Sequence, residues 1–259
     1  MMDLGIAGKR ALILGASQGL GAASAAALAA EGVAVTLLAR SAAKLQDRVA
    51  EIAAKGGIAT SLVADLTHSA DLGPILGDAL GYDILVLNSP PPPPVKAGTV
   101  DRATWSQQFE AMFLNQVELT AHLVKGMAGR GWGRIISIAS TSVQEPIPGL
   151  VYSNALRAGL QGYLKSLSDE VAAQGVTVNT VAPGSFATER THSLDAAAAQ
   201  RSGRSHEEIA AEGAAGIPAR RYGAPAEFGA MVAFLCGQSS SYTTGAFFRV
   251  DGGSSRGGV

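Results

Sequence analysis

The chain has 259 residues, enough to bury one large core or two small ones, and 47% of them are apolar while only 16% are charged. A net charge of −1 with no basic run excludes the electrostatic footprint that nucleic acid or an anionic membrane surface requires, and no apolar run reaches spanning length. Cys236 is the single cysteine, which excludes a disulfide framework and fits a reducing, cytoplasmic setting; no signal-peptide pattern opens the chain.

In chain order, an apolar strand at 10–14 turns through Leu14-Gly15-Ala16-Ser17-Gln18-Gly19-Leu20-Gly21 into an alanine-rich helix at 20–30. Glycines let a backbone turn sharply and approach an anion, and a helix start presents free N–H groups and the positive end of its dipole. With a second strand at 33–39, the stretch predicts a pyrophosphate site for a dinucleotide, bounded by Gly15, Ser17, Gln18, Gly19, Leu20 and Gly21. Further strands are expected at 58–63, 84–87, 134–138, 177–181 and 247–250, and helices at 42–55, 69–80, 101–130, 150–174 and 225–237. Most strand segments are continuous apolar runs, as in strands covered on both faces. The alternation predicts one α/β domain, a doubly wound parallel sheet of about seven strands, with ligands beyond the strands' C-terminal ends.

Two segments interrupt this rhythm. Five prolines at 90–94 follow the fourth strand and predict a stiff wall beside the cleft. The stretch 185–218, helical in pattern at 205–215, has the length and position of a substrate lid.

The end of the second strand, Leu38-Ala39-Arg40-Ser41, lacks the carboxylate that would accept hydrogen bonds from an NAD ribose. Arg40 offers instead a planar fork suited to a 2′-phosphate, which predicts NADP(H) in preference to NAD(H). The four histidines have no metal-ligand spacing, and no metal is expected.

Over nearly its whole length the chain resembles the short-chain dehydrogenase/reductase family, whose fold is of the Rossmann type. Gly15, Gly19 and Gly21 match its Gly-x-x-x-Gly-x-Gly loop; Asp65-Leu66 matches the acidic segment near the adenine; Asn88 matches the second residue of its Asn-Asn-Ala-Gly motif. Pro183-Gly184 and Thr188 match the turn and threonine near the nicotinamide, and Val250-Asp251-Gly252-Gly253 a C-terminal signature. The resemblance implies a homo-oligomer, dimer or tetramer, acting on a small-molecule carbonyl or alcohol. It also implies a catalytic serine, met here by Ser140, and a tyrosine followed four residues later by lysine on one helix.

That last pair is broken. The segment reads Val151-Tyr152-Ser153-Asn154-Ala155-Leu156-Arg157, so Arg157 lies four residues after Ser153 and five after Tyr152. Residues four apart share a helix face; residues five apart point about 140° away from each other. The register of Gly162 and Lys165-Ser166-Leu167 places Ser153 at the tyrosine position, whereas a shift before the first regular turn would restore Tyr152. A helix asparagine is equally displaced, with Asn115 near and Met112 at the family's place. The pattern resembles a subgroup similar to 3-oxoacyl-(acyl-carrier-protein) reductases but lacking the full tetrad. Three functions follow: an NADP(H)-dependent oxidoreductase with altered acid–base residues, a non-redox enzyme (lyase, isomerase or dehalogenase-like) on the same fold, or a cofactor-binding protein with little turnover.

Overall fold

The strands β1 (Arg10–Leu14), β2 (Ala34–Ala39), β3 (Ala59–Val63), β4 (Ile84–Leu87), β5 (Gly133–Ile138), β6 (Val176–Pro183) and β7 (Phe247–Val250) form one parallel sheet in the order β3-β2-β1-β4-β5-β6-β7. The computed structural model describes residues 3–78, 81–99 and 101–257. Strand order reverses between β1 and β4, which pair directly, with Leu12 opposite Leu85 and Ile13 opposite Val86. A crevice opens at such a switch point, beyond the strand ends, because the following connections leave toward opposite faces. Gly15 and Asn88 are the first residues past these two strands, so the sequence delivers both motifs to one place.

The apolar runs are continuous because each strand feeds two cores. Alternation sends Leu12, Leu14, Leu85, Leu87 and Ile135 to one face, beneath α5 (Asn115–Gly129) and α6 (Val151–Val171). It sends Ile13, Val86 and Ile136 to the other, beneath α1 (Gly19–Ala30) and α9 (Pro225–Cys236). Each such buried side chain contributes about 1.5–3 kcal/mol relative to exposure, enough to fix the register of every central strand. Cys236 is fully buried here, and burial pushes its thiol up to about 12.

Elsewhere the structure refines the expected elements. α2 (Ala42–Ala54) is capped by the Ser41 hydroxyl, which accepts from the Lys44 N–H. The segment at 69–80 is a 3₁₀ turn, Ser69–Leu72, followed by the short α3 (Gly73–Asp78), as two weak helix formers, Gly73 and Gly77, would favour; Leu80 lies outside the described residues. The single helix expected at 101–130 is α4 (Arg102–Phe109), a π turn at Glu110–Leu114, and α5. A π turn has no composition signal of its own, so the sequence reads as one helix. In the stretch 185–218 stand two helices, α7 (Glu189–Ser202) and α8 (His206–Ala215), where one was expected. Their signals are local: Thr188 and Ser205 cap them, Ser205 and Glu208 form a capping box, and Gly203 between them has φ +68°. No helix among the described residues is long and apolar enough to cross a membrane.

α1 and α9 approach closely through small residues. A Cβ on Gly229 would lie 2.5 Å from the Ala23 carbonyl oxygen. Gly229→Ala should therefore lower stability by about 1–3 kcal/mol, against the helix preference for alanine. A urea unfolding midpoint checks this, and an unchanged or higher midpoint would contradict the packing.

Candidate functional site

The glycine loop is closed by its own contacts. Gly15 and Gly19 both have φ +61°, a conformation that a side chain resists. A Cβ on Gly15 would lie 2.7 Å from Asn88 Nδ2, and one on Gly21 would overlap the Gly15 carbonyl oxygen. Asn88 donates through Nδ2 to that same oxygen at 3.4 Å, so β1 and β4 are tied together just past their ends. The following helix start is left open: Gln18 does not cap it through its side chain, and its first turn has no acid. Its first N–H groups are therefore available to an anion. The Gln18 side chain instead accepts from Lys44 Nζ at 2.6 Å, and Nζ also lies 3.4 Å from Glu189 Oε2. A cleft of about 570 Å³ borders this cluster, lined in part by Ser17, Gln18, Gly19, Lys44 and Thr188. Leu20 packs against the core behind the loop.

At the far end of the crevice the exposed Arg40 guanidinium lies 3.8 Å from Asp65. Burial would raise the Asp65 carboxyl, but hydrogen bonds from Thr67 and the positive charges of Arg40 and His68 outweigh it and hold the group below its usual range. Leu66 turns its side chain into the core, and its carbonyl accepts from Asn115 Nδ2 at 2.7 Å. Asn115 is thus a tie between α5 and the loop after β3, and Met112 is a core residue. On the opposite rim, the Gly184 N–H donates to Val250, where a Cβ would lie 2.7 Å from Asp251 Cβ. This links Pro183-Gly184 to the C-terminal Val250-Asp251 turn. Thr188 caps α7 beside Gly19, and a Cβ there would lie 4.0 Å from its methyl.

α6 places the two candidates, Tyr152 and Ser153, on different sides of the helix. It is regular from Val151, so Ser153 and Arg157 share a face, and Arg157 Nε donates to Ser153 Oγ at 3.2 Å. The same guanidinium donates through NH1 to the Ile138 carbonyl at 2.8 Å and through NH2 to Ser89 Oγ at 3.3 Å. Burial first, then the charge of Arg190, lowers Arg157 to about 10, which leaves it charged at neutral pH. Ser140, two residues past Ile138, accepts from the Ser142 N–H at 3.1 Å. Tyr152 goes elsewhere, and its expected place in the cleft is corrected. It is 2% exposed, with its ring edge-on to Trp105 at 4.6 Å in the core under α6. A regular helix cannot turn both Tyr152 and Arg157 to the same cleft.

The proline run begins one residue after Ser89 and ends at Val95, whose N–H donates to the Gly149 carbonyl at 2.8 Å just before α6. A stiff segment thus connects the end of β4 to the start of the helix that carries Ser153. Ser89 and Arg190 were not singled out in the sequence. Ser89 is adjacent to Asn88 and Arg190 stands two residues past Thr188, and that adjacency is their only signal.

A family profile described as enoyl-(acyl carrier protein) reductase matches residues 15–255. The chain is 32% identical over 249 residues to a 3-oxoacyl-(acyl-carrier-protein) reductase of Synechocystis, covering 94% of this chain and 95% of that one. It is 33% identical over 251 residues to the corresponding reductase of Vibrio cholerae, covering 96% and 98%. L-sorbose reductase from Gluconobacter frateurii, solved with NADPH and L-sorbose, superposes with a TM-score of 0.92 at 28% identity over 98% of each chain. The chain therefore belongs to the short-chain dehydrogenase/reductase family. Within that family it is an oxidoreductase similar to reductases named for 3-oxoacyl-(acyl-carrier-protein), and the L-sorbose reductase it resembles was solved with NADPH.

Proposed function

We propose that this protein is an NADP(H)-dependent carbonyl reductase or alcohol dehydrogenase in which Ser153 and Arg157 stand where relatives carry tyrosine and lysine. The observation that carries this reading is the Arg157 fork. It fixes Ser153 on α6 against the ends of β4 and β5, beside Ser140.

The residues present fit the cofactor. Gly15 and Gly21 form a cradle that a Cβ would fill, and the start of α1 has uncapped N–H groups for the pyrophosphate. We read Arg40 as the partner of a 2′-phosphate, Asp65 and Leu66 as the adenine side, and Asn88, Pro183, Gly184 and Thr188 as the nicotinamide side. When bound, NADPH supplies the hydride for carbonyl reduction. Ser140 holds the substrate oxygen with a hydrogen bond, since its own oxygen accepts from the Ser142 N–H, while Ser153 gives that oxygen its proton and regains one from water. Ser153 Oγ likewise accepts from Arg157, which leaves its proton directed away from the guanidinium and makes the hydroxyl a better donor. Arg157 stabilises negative charge developing on that oxygen without giving up a proton itself. The intact cradle weighs against a dehalogenase-like pocket on this fold.

The segment 185–218 is read as a substrate lid. Its base is held where the Ala187 N–H donates to Gly223 and the Gly223 N–H donates to Ser185. The homo-oligomer follows from the family, and Phe109 and Leu114 are large apolar side chains exposed at the α4–π-turn face.

NADPH consumption with a panel of carbonyl compounds tests the reading. Ser153→Ala should lower kcat/KM about 100-fold, the scale of a lost general acid, while Tyr152→Phe stays within about twofold of wild type. The reverse ranking would overturn the assignment. Arg40→Asp should weaken NADPH about tenfold or more, as loss of a charged hydrogen bond does, and should leave NADH little changed; equal losses would contradict the NADP(H) assignment.

A further inference from the structure

The segment that follows the Val250-Asp251-Gly252-Gly253 turn is tied down residue by residue. Asp251 accepts from the Gly253 N–H through Oδ1 and from the Ser255 N–H through Oδ2, both at 2.9 Å. The Ser254 hydroxyl donates to the Asp251 carbonyl at 2.8 Å. Further on, both backbone groups of Gly257 are taken by charged side chains from separate parts of the fold. Its N–H donates to Glu145 Oε1 at 2.6 Å, and its carbonyl accepts from Arg249 NH1 at 2.7 Å. Hydrogen bonds with an ionised partner are stronger than those between neutral groups.

Topology fixes where this segment runs. It leaves the C-terminal end of β7 and is clasped to Glu145, in the loop 141–150 past the C-terminal end of β5. β6 lies between those two strands, so the segment crosses the end of β6 on the side of the sheet where ligands bind. Near its start, the Gly252 carbonyl accepts from the Ala219 N–H at 3.1 Å, just past the stretch 185–218 read as a lid. A Cβ on Gly252 would lie 2.8 Å from Ile217 Cγ2. At its far end, the loop 141–150 separates Ser140 from the helix that carries Ser153, and other ties hold it in place. Asn154 Nδ2 donates to the Ile147 carbonyl at 2.9 Å, and the Val95 N–H joins Gly149 to the proline wall. The segment thus connects the exit of the lid stretch to the serine loop. Its residues Ser254-Ser255-Arg256-Gly257 include no apolar side chain. They occupy space without giving an alkyl chain anything to pack against, and covering their polar groups with one would cost hydration.

We infer that residues 251–257 are a strap, clasped by Glu145 and Arg249, that shuts this side of the substrate cleft to extended apolar chains, so that the carbonyl compound reduced is short or polar. Glu145 and Arg249 are then positioning residues, acting on specificity through the strap. The inference deepens the reductase reading and rests on it for turnover, but the clasp itself stands on the contacts of Gly257.

The test compares butan-2-one with octan-2-one in wild type, in a chain ending at Ser254, in Glu145→Ala and in Glu145→Gln. In wild type, kcat/KM for octan-2-one should not exceed that for butan-2-one. Ending the chain at Ser254 should raise the octan-2-one value about tenfold, the scale on which pockets discriminate apolar groups, and leave butan-2-one within about twofold. Glu145→Ala should give part of the same shift. Glu145→Gln, whose amide oxygen still accepts the Gly257 N–H, should stay near wild type, and NADPH affinity should hold in every variant. A wild type that prefers octan-2-one, or a truncation and a Glu145→Ala that change both ketones alike, would overturn the inference. Calorimetric binding of octan-2-one to the protein–NADP⁺ complex separates it from the reductase reading. Binding that tightens about tenfold on truncation, with no NADPH consumed by any carbonyl compound, would sustain the strap and refute the reductase. Binding that truncation leaves unchanged would overturn the strap even if butan-2-one is reduced.

Discussion

One guanidinium holds the centre of this molecule together. Arg157 on α6 donates to Ser89 past β4, to Ile138 at the end of β5 and to Ser153 one turn back on its own helix. A planar, permanently charged fork can serve three acceptors in fixed directions, which an ammonium on a flexible stem does less well. The apolar face of α6 sets its place on the sheet, and the fork sets what the Ser153 oxygen accepts and ties the helix to Ser89 at the entry to the proline run. The guanidinium charge is met by three neutral oxygens, with no acid beside it among the described residues.

The fork works because the sheet brings its acceptors close. Reversal of strand order between β1 and β4 places Gly15 and Asn88 side by side, and the Asn88 amide closes that junction. The glycine loop and the segment that carries Ser89 therefore leave adjacent strand ends. Two cores, one on each face of the sheet, keep these ends fixed.

Much of this was legible in the sequence, for physical reasons. Continuous apolar runs separated by helical stretches allow few topologies, so the strand sites were read within a residue or two and the sheet class followed. The glycine loop was legible because only glycine tolerates φ +61° and so close a neighbour. What was missed depends on tertiary geometry. The π turn at Glu110–Leu114 interrupts a stretch that the sequence reads as one helix. Which side of α6 Tyr152 and Ser153 take turns on where the helix becomes regular; it is regular from Val151, with the Tyr152 ring against Trp105 and Ser153 against Arg157. Ser89 gains its contact with Arg157 only once the end of β4 and α6 come together, which no local signal announces.

The central claim, that the geometry of the Arg157 fork rather than its charge alone organises the site, is tested most directly by kcat/KM for NADPH-dependent reduction in Arg157→Lys. The substitution keeps the charge and removes the planar fork. The account predicts a fall of at least tenfold with the fold intact by circular dichroism. Activity at or above the wild-type level would contradict it.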